Sequence, residues 1–439
     1  MQYKIEKLVH GGFGLSHDTD GRVTLIEGVI PNESVTAKIW QTTKQLQKAR
    51  PVQIDEASTH RVQPACEYYK RCGGCNFQHM DYPYQLQAKE DIIHDLLCRS
   101  GHPLLVEATK SKLAKALVSE QETQYRQRIR LQIDERQTLG FYKRRSNDCV
   151  PIEHCLLAKQ EINSCLLALL DHSSFRQLRK RTEALELLFN PETKQVILLL
   201  HFTQKTRPAD TQQAAMLANE IDLLETVIIT GTDFAPSGSS ELSYLLPPIP
   251  PHTDKTLTLT WETGGFCQVN LTQNQKLIQT VLNFADVTGE DNVLDLFCGM
   301  GNFSVAIAEK AKAVVGIEGQ GSATRSAKRN SKMAAQNNTT FIKKPVHTAC
   351  ASLADEGQAF DIVIIDPPRQ GAPNLARTLA QLTTKRLIYI SCDPATLCRD
   401  LVSLLEHGFA LTTLQPIDMF PQTHHIECVV LLERNPENH

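Results

Sequence analysis

Val293-Leu294-Asp295-Leu296-Phe297, followed at once by Cys298-Gly299-Met300-Gly301-Asn302-Phe303, decides the fold of this chain. The first run is short and apolar and reads as a buried strand. Glycines in the second let the backbone turn tightly and approach a ligand closely before the next helix begins. The next apolar run, Val314-Val315-Gly316-Ile317, ends in Glu318. That acid lies roughly twenty residues past the glycines, where a carboxylate can hold a ribose diol. The loop lacks the third glycine of a dinucleotide site, so a bound adenosyl group, and S-adenosylmethionine rather than NAD, is the expectation. A tight structural turn is the alternative.

Outward from this stretch the pattern repeats. From about 261 apolar strands alternate with helical segments: 292–297, 303–312, 313–317, 322–336, 360–365, 373–384, 386–391, 395–406 and 426–432. Such alternation predicts a parallel, doubly wound α/β sheet. Its chemistry should sit at strand ends. Phe360-Asp361-Ile362-Val363-Ile364-Ile365 ends in Asp366-Pro367-Pro368-Arg369, where two prolines fix the loop and Arg369 offers a planar fork for phosphate or carboxylate. Leu387-Ile388-Tyr389-Ile390-Ser391 ends in Cys392, and Asp393-Pro394 follows. A thiol held there is either a nucleophile or a small buried packing residue.

The rest of the chain bounds the setting. It has 439 residues, 41% hydrophobic and 22% charged, enough for two or three domains. The formal net charge of -3 excludes a global basic field, so any nucleic-acid surface must be local. The first residues carry charge and no apolar core of a signal peptide, and no apolar run is long enough to span a bilayer. A soluble cytoplasmic protein is expected, a monomer by default. In a reducing compartment the 13 cysteines call for metal binding or catalysis rather than a disulfide frame.

Residues 1 to about 58 read as a small all-β unit, with Thr24-Leu25-Ile26 and Ser34–Ile39 as strands around Pro31-Asn32. A barrel of this kind binds oligonucleotides or merely caps the fold. Helical stretches are expected at 83–99 and 155–187, strand-like runs at 124–145, and a mixture at 194–260 with loops at Pro236–Ser240 and Pro247–Pro251. In Tyr125-Arg126-Gln127-Arg128-Ile129-Arg130 the three arginines share one face of a strand, and Phe141-Tyr142-Lys143-Arg144-Arg145 follows. A basic face with aromatics suits single-stranded RNA, and a solvated edge strand is the alternative. Cys66, Cys72 and Cys75, in Cys66-x5-Cys72-Gly73-Gly74-Cys75, put soft ligands on one loop, which selects zinc or an iron–sulfur cluster. Cys149, Cys155 and Cys165 compete as the fourth ligand.

Taken together, Phe266-Cys267-Gln268-Val269-Asn270, Leu294 to Phe303, Asp366-Pro367-Pro368-Arg369, Ser391-Cys392-Asp393-Pro394-Ala395-Thr396-Leu397 and Met419-Phe420-Pro421 through His425-Ile426-Glu427 resemble the RNA 5-methyluridine methyltransferases. The resemblance runs across nearly the whole chain and is strongest to the branch acting on 23S ribosomal RNA. It implies a TRAM-like RNA-binding β-barrel of OB type at 1–58, a central α+β iron–sulfur domain at 59–260 and a Rossmann-like methyltransferase domain at 261–439. It implies Cys392 as nucleophile and Glu427 as base, with Gln268, Phe297, Asn302, Glu318 and Asp366 lining the S-adenosylmethionine site. It makes Cys155 the fourth ligand, beside Cys66, Cys72 and Cys75, of a 4Fe–4S cluster. The family's adenine contact has no evident counterpart around Lys343-Lys344-Pro345.

C5 of uracil is a poor nucleophile, and thiolate addition at C6 makes it electron-rich. A carboxylate can then remove the C5 proton after methyl transfer. The target uridine must leave its stack to reach the thiol. Transfer RNA is the alternative substrate. A 5-methylcytosine enzyme normally carries Pro-Cys, whereas Ser391 precedes Cys392 here. A non-catalytic, cluster-bearing RNA-binding protein would have no use for both Cys392 and Glu427.

Overall fold

The structure is a computed structural model that describes residues 1–231, 236–238 and 241–434. The expected loop at Pro236–Ser240 lies partly outside the described residues.

The N-terminal strands are β1 (Gln2–Lys4), β2 (Lys7–Val9), β3 (Phe13–His17), β4 (Val23–Glu27), β5 (Ser34–Thr42) and β6 (Leu46–Glu56). They form one sheet in the order β1-β5-β6-β4-β3-β2. Alternating burial along β3, β4 and β5 turns one face onto Tyr3, Ile5, Ile26, Val29, Val35 and Ala49. The sheet fits half a barrel, and the Glu6 amide extends the β2–β3 ladder onto the Leu15 carbonyl at 2.9 Å.

Two helices follow, α1 (Tyr82–Arg99) and α2 (Pro103–Ser111). Asp81 caps α1 by accepting from the Tyr84 amide, and Pro83 sits in its first turn. Next come β7 (Arg128–Ile133), β8 (Leu139–Tyr142), β9 (Cys149–Pro151), α3 (Gln160–Asp171), α4 (Ser173–Arg179), β10 (Thr182–Phe189), β11 (Val196–Phe202), α5 (Pro208–Glu220) and β12 (Leu224–Thr230). Their strands order as β12-β11-β10-β7-β8-β9. The helical expectation for 155–187 is corrected here, since its end, from Thr182 on, is β10. Both faces of Leu185-Glu186-Leu187-Leu188-Phe189 are buried, and a run buried on both sides loses the alternation that marks a strand.

The hairpin β13 (Glu241–Leu246) and β14 (Leu257–Glu262) and helix α6 (Leu271–Ala285) precede the large sheet. That sheet is built from β15 (Asn292–Leu296), β16 (Ala313–Glu318), β17 (Thr339–Lys343), β18 (Phe360–Ile365), β19 (Thr383–Ser391), β20 (Phe409–Ile417) and β21 (Glu427–Arg434). The helices between them are α7 (Ser304–Ile307), α8 (Gly321–Met333), α9 (Val346–Asp355), α10 (Ala376–Leu382) and α11 (Pro394–Glu406). Successive residues face opposite layers. Leu387 and Tyr389 of β19 join one core with Leu397 and Leu401 of α11, while Ile388 and Ile390 join the other with Leu277 and Val281 of α6. Helices α1 and α2 lie in the first of these cores, through Ile92, Ile93, Leu97 and Leu105.

The strand order is β17-β16-β15-β18-β19-β21-β20. Neighbours from β17 to β19 are parallel, but β21 runs antiparallel to both β19 and β20. The sheet is therefore mixed, not wholly parallel as expected. The reversal decides the site. It brings the start of β21 to the edge where the parallel strands end, so Glu427 arrives beside the end of β19.

Candidate active site

Three strand ends make the floor of the crevice. After β15, Phe297, Gly299 and Gly301 all take positive φ (60°, 56° and 85°), which lets the backbone double back under a ligand. Glu318 at the end of β16 accepts from the Gly299 amide at 3.2 Å and the Gln320 amide at 2.7 Å. It is thereby locked to the glycine loop. Asp366 follows β18, and its amide reaches the Leu296 carbonyl at 3.3 Å. Burial pushes its carboxyl up to about 7.

Asn302 and Asn274 of α6 exchange two amide hydrogen bonds, 2.9 and 3.0 Å, and the Tyr244 hydroxyl donates to Asn302 Oδ1 at 3.0 Å. These bonds latch α6 to the loop after β15. Half-buried Gln268 stands just before that helix, whose cap Asn270 accepts from the Gln273 amide. Tyr244 and Asn274 were not among the expected residues, because their partner lies far along the chain. Asp295 was also absent from that set. It is fully buried, accepts from the Ser304 hydroxyl, and is pushed up to about 7, chiefly by burial. Its Oδ1 has no hydrogen-bond partner among the described residues.

The thiol and the acid face one another across two hydrogen-bonded strands. Ser391 of β19 pairs with Cys428 of β21, so Cys392 and Glu427 both lie one residue beyond the same end of that antiparallel ladder, opposite one another. Cys392 is held between the strand end and a capped helix, since Asp393 accepts from the amides of Ala395 and Thr396 at 3.0 Å. Burial, then the nearby Glu427 and Asp366, push its thiol up to about 11, and Arg369 opposes them. Glu427 is 3% exposed, and burial followed by Asp366 raises it well above an ordinary carboxyl, again against Arg369.

The loop carrying Glu427 is clamped by the segment 76–125. Lys89, 1% exposed, pairs with Asp418 at 2.6 Å and donates to the Phe420 carbonyl at 3.1 Å. The Tyr82 hydroxyl donates to Asp418 at 2.8 Å and the Tyr125 hydroxyl to the Pro421 carbonyl at 3.0 Å. Gln85 and Gln422 exchange two further bonds, 3.0 and 2.9 Å. Removing one partner of a buried ion pair costs about 3–5 kcal/mol. Lys89→Met is expected to lower stability by about that amount, read as a shift in the urea unfolding midpoint. An unchanged midpoint would show that Asp418 needs no counter-charge.

Cys66, Cys72, Cys75 and Cys155 line one cavity of about 40 Å³ with Tyr68, Tyr69, Gln78 and Arg126. Burial pushes the Cys75 thiol up to about 12 and raises Cys66 and Cys72 as well. Cys149 and Cys165, the competitors for fourth ligand, are not in its wall. Among the described residues no group of three or more His, Cys, Asp or Glu side chains could hold a metal ion.

The three arginines of the basic strand do not share one free face, although Arg130 stays exposed. Arg126 precedes β7 and lines the cysteine cavity instead. Arg128 and Arg130 pair with Glu186 of β10 at 2.5 and 3.3 Å, and His201 adds a contact at 3.0 Å. A strand's neighbours in the sheet cannot be read from spacing alone. Further basic residues gather, together with Glu27 and Asp148, where the N-terminal sheet meets the β8–β9 hairpin. Arg50, Arg61, Lys70, Arg71, Lys143 and Arg144 line a cavity of about 910 Å³. Trp40, 37% exposed, lies under Lys48, Arg50 and Arg145. A second cleft of about 570 Å³ runs from Gly12, Tyr142 and Arg144 to His424 and His425. Among the described residues no helix is long and apolar enough to cross a membrane.

A family profile for tRNA (uracil-5-)-methyltransferases matches residues 81–435. The chain is 31% identical over 438 residues to a 23S rRNA (uracil(1939)-C(5))-methyltransferase RlmD of Aliivibrio fischeri, covering 98% of this chain and 95% of that one. It is 30% identical over 432 residues to the protein of that name from Vibrio cholerae, covering 97% and 94%. Its fold matches the crystal structure of the Pyrococcus abyssi tRNA (uracil-54, C5)-methyltransferase in complex with S-adenosyl-L-homocysteine, at a TM-score of 0.73 and 22% identity over 98% and 99% of the two chains. A profile that spans both the glycine loop after β15 and the paired ends of β19 and β21 leaves one conclusion: the chain belongs to the tRNA (uracil-5-)-methyltransferase family, S-adenosylmethionine-dependent enzymes that methylate C5 of uracil in RNA.

Proposed function

We propose that this enzyme methylates C5 of one uridine in 23S ribosomal RNA, with Cys392 as nucleophile and Glu427 as base. The observation that carries the roles is the register of β19 and β21, which sets a thiol and a buried carboxyl side by side at the sheet's ligand-binding edge. The ribosomal substrate is supported by the names of relatives about 30% identical over nearly their whole length.

The Cys392 thiolate adds to C6 of a flipped uridine, and the electron pair moves to C5. C5 takes the methyl group from the sulfonium of S-adenosylmethionine, and S-adenosylhomocysteine leaves. Glu427 then removes the C5 proton, the C5–C6 double bond re-forms and the thiolate is expelled. Gln268, Phe297, Asn302, Glu318 and Asp366 bind the methyl donor in this reading, and Asp295 supports them from beneath.

Cys392 must be ionised to add, and its thiol is held up near 11. Below that value the thiolate fraction rises about tenfold per pH unit. The rate of labelled methyl transfer is therefore expected to climb between pH 6 and pH 9, and a profile falling above pH 7 would overturn the assignment. The function itself is tested by nucleoside mass spectrometry of 23S rRNA and of bulk tRNA incubated with the protein and labelled S-adenosylmethionine. Label in 5-methyluridine of the ribosomal RNA alone supports the reading. Label in tRNA, or in 5-methylcytosine, redirects it.

Cys66, Cys72, Cys75 and Cys155 are proposed to hold a 4Fe–4S cluster. Two observations support this. The four sulfurs line one small cavity, and Arg126 Nε there is buried without a hydrogen-bond partner among the described residues. A cluster spaces its thiolates more widely than a single ion does, and its net negative charge and sulfur acceptors would satisfy that nitrogen. The group would supply a covalent cross-link between distant segments, with no part in methyl transfer.

A further inference from the structure

The cysteine loop does not end at its last thiol. Asn76 follows Cys75 directly and reaches the loop that carries Glu427. Its Oδ1 accepts from the His424 amide at 2.8 Å, and its Nδ2 lies 2.9 Å from His424 Nδ1. The amides of Asn76 and Phe77 donate to the Gln422 carbonyl at 3.2 and 3.1 Å. Phe77 is fully buried in the core of the methyltransferase sheet. The N-terminal sheet closes the junction from above. A Cβ on Gly12 would stand 2.6 Å from Phe77, 2.9 Å from Asn76 and 2.9 Å from His424.

We propose that Asn76 is a positioning residue through which the filling of the cysteine cavity sets the geometry of the Glu427 loop. This rests on the cluster reading given above. Gly73-Gly74 is the most pliable pair in that loop. With free thiols, the segment from Cys72 to Asn76 is held by the Gly73 amide on the Tyr142 carbonyl at 3.1 Å, by Arg144 on the Cys75 carbonyl and by the Gly74 amide on Cys72 Sγ at 3.4 Å, none of which joins the four sulfurs to one another. A group bonded to Cys72 and Cys75 as well as to Cys66 and Cys155 removes that freedom. Asn76, one bond from the final ligand, is then fixed, and with it Gln422 and His424, three residues before Glu427. The cluster thus has a use in a reaction that transfers no electron.

Hydrogen exchange of the full chain tests this. Peptides covering 418–427 are compared in iron-loaded, iron-stripped and Asn76→Ala protein, with strands 292–296 and 360–365 as internal controls. Stripping iron is expected to speed exchange of 418–427 by about tenfold and to leave the controls unchanged. Asn76→Ala is expected to do the same while keeping iron content and visible absorption, and to lower kcat without changing the Kd for S-adenosylmethionine. Asn76→Asp retains the acceptor for the His424 amide and should restore most of the protection. Iron-loaded protein whose 418–427 exchange ignores both iron removal and Asn76→Ala overturns the coupling alone. Protein that takes up no iron overturns the cluster reading and the coupling together.

Discussion

Cys392→Ala is expected to lower methyl transfer by on the order of 10⁴-fold or more, because the electron pair that makes C5 nucleophilic has no other source in the crevice. The other cysteines of the methyltransferase sheet cannot substitute. Cys298 and Cys428 are buried and their thiols are raised well above the ordinary value, chiefly by burial. Cys398 lies a turn into α11 and packs in the core. Binding should survive, since Cys392 lines neither of the two basic clefts. The measurements are the single-turnover rate of label transfer and the Kd for RNA. Covalent capture by RNA carrying 5-fluorouridine should vanish with the thiol. An adduct formed by the alanine variant would remove Cys392 from the mechanism.

Glu427→Gln should fail at a different point. The amide is close in shape to the protonated acid, so addition at C6 and methyl transfer to C5 can proceed. What stops is loss of the C5 proton, and without it the thiolate cannot leave. Turnover is expected to fall by about 10²–10⁴-fold. The diagnostic result is a covalent RNA–protein adduct on ordinary uridine that survives denaturation and already carries the labelled methyl group. A variant that accumulates no labelled adduct, but binds RNA and S-adenosylmethionine normally, would place Glu427 before methyl transfer instead of after it.

Much of this was legible in the sequence because it is local. The run Val293 to Phe303 carries its own strand, turn and glycines. Leu387 to Pro394 announces a strand, a thiol and a helix start within eight residues. Glu427 was legible only through resemblance, since an acid at a strand start is unremarkable until the strand's direction is known. Other features depend on partners the chain brings from afar. Arg128 and Arg130 read as unpaired charges because Glu186 is more than fifty positions away in sequence and enters only when β10 pairs with β7. Helix α6 was missed although its signal is present. Asn270 caps it, and Leu277, Ile278, Val281, Leu282 and Ala285 recur at helical spacing. Asn76 gave no signal at all, being one amide beside a cysteine.

The register of β19 against β21 also acts as a fixed gauge. Adjacent strands are held about 4.8 Å apart by backbone hydrogen bonds, here from Arg386–Glu433 to Ser391–Cys428, and both are buried in the two cores of the sheet. The backbone spacing at the Ser391–Cys428 pair, one residue from both thiol and carboxyl, is therefore set by peptide geometry. Substrate choice is under no such restraint. In the proposed function it would fall to the clefts between the N-terminal sheet, the cysteine loop and the β8–β9 hairpin. Those surfaces can drift toward a new RNA while the gauge, and the chemistry measured against it, stays the same.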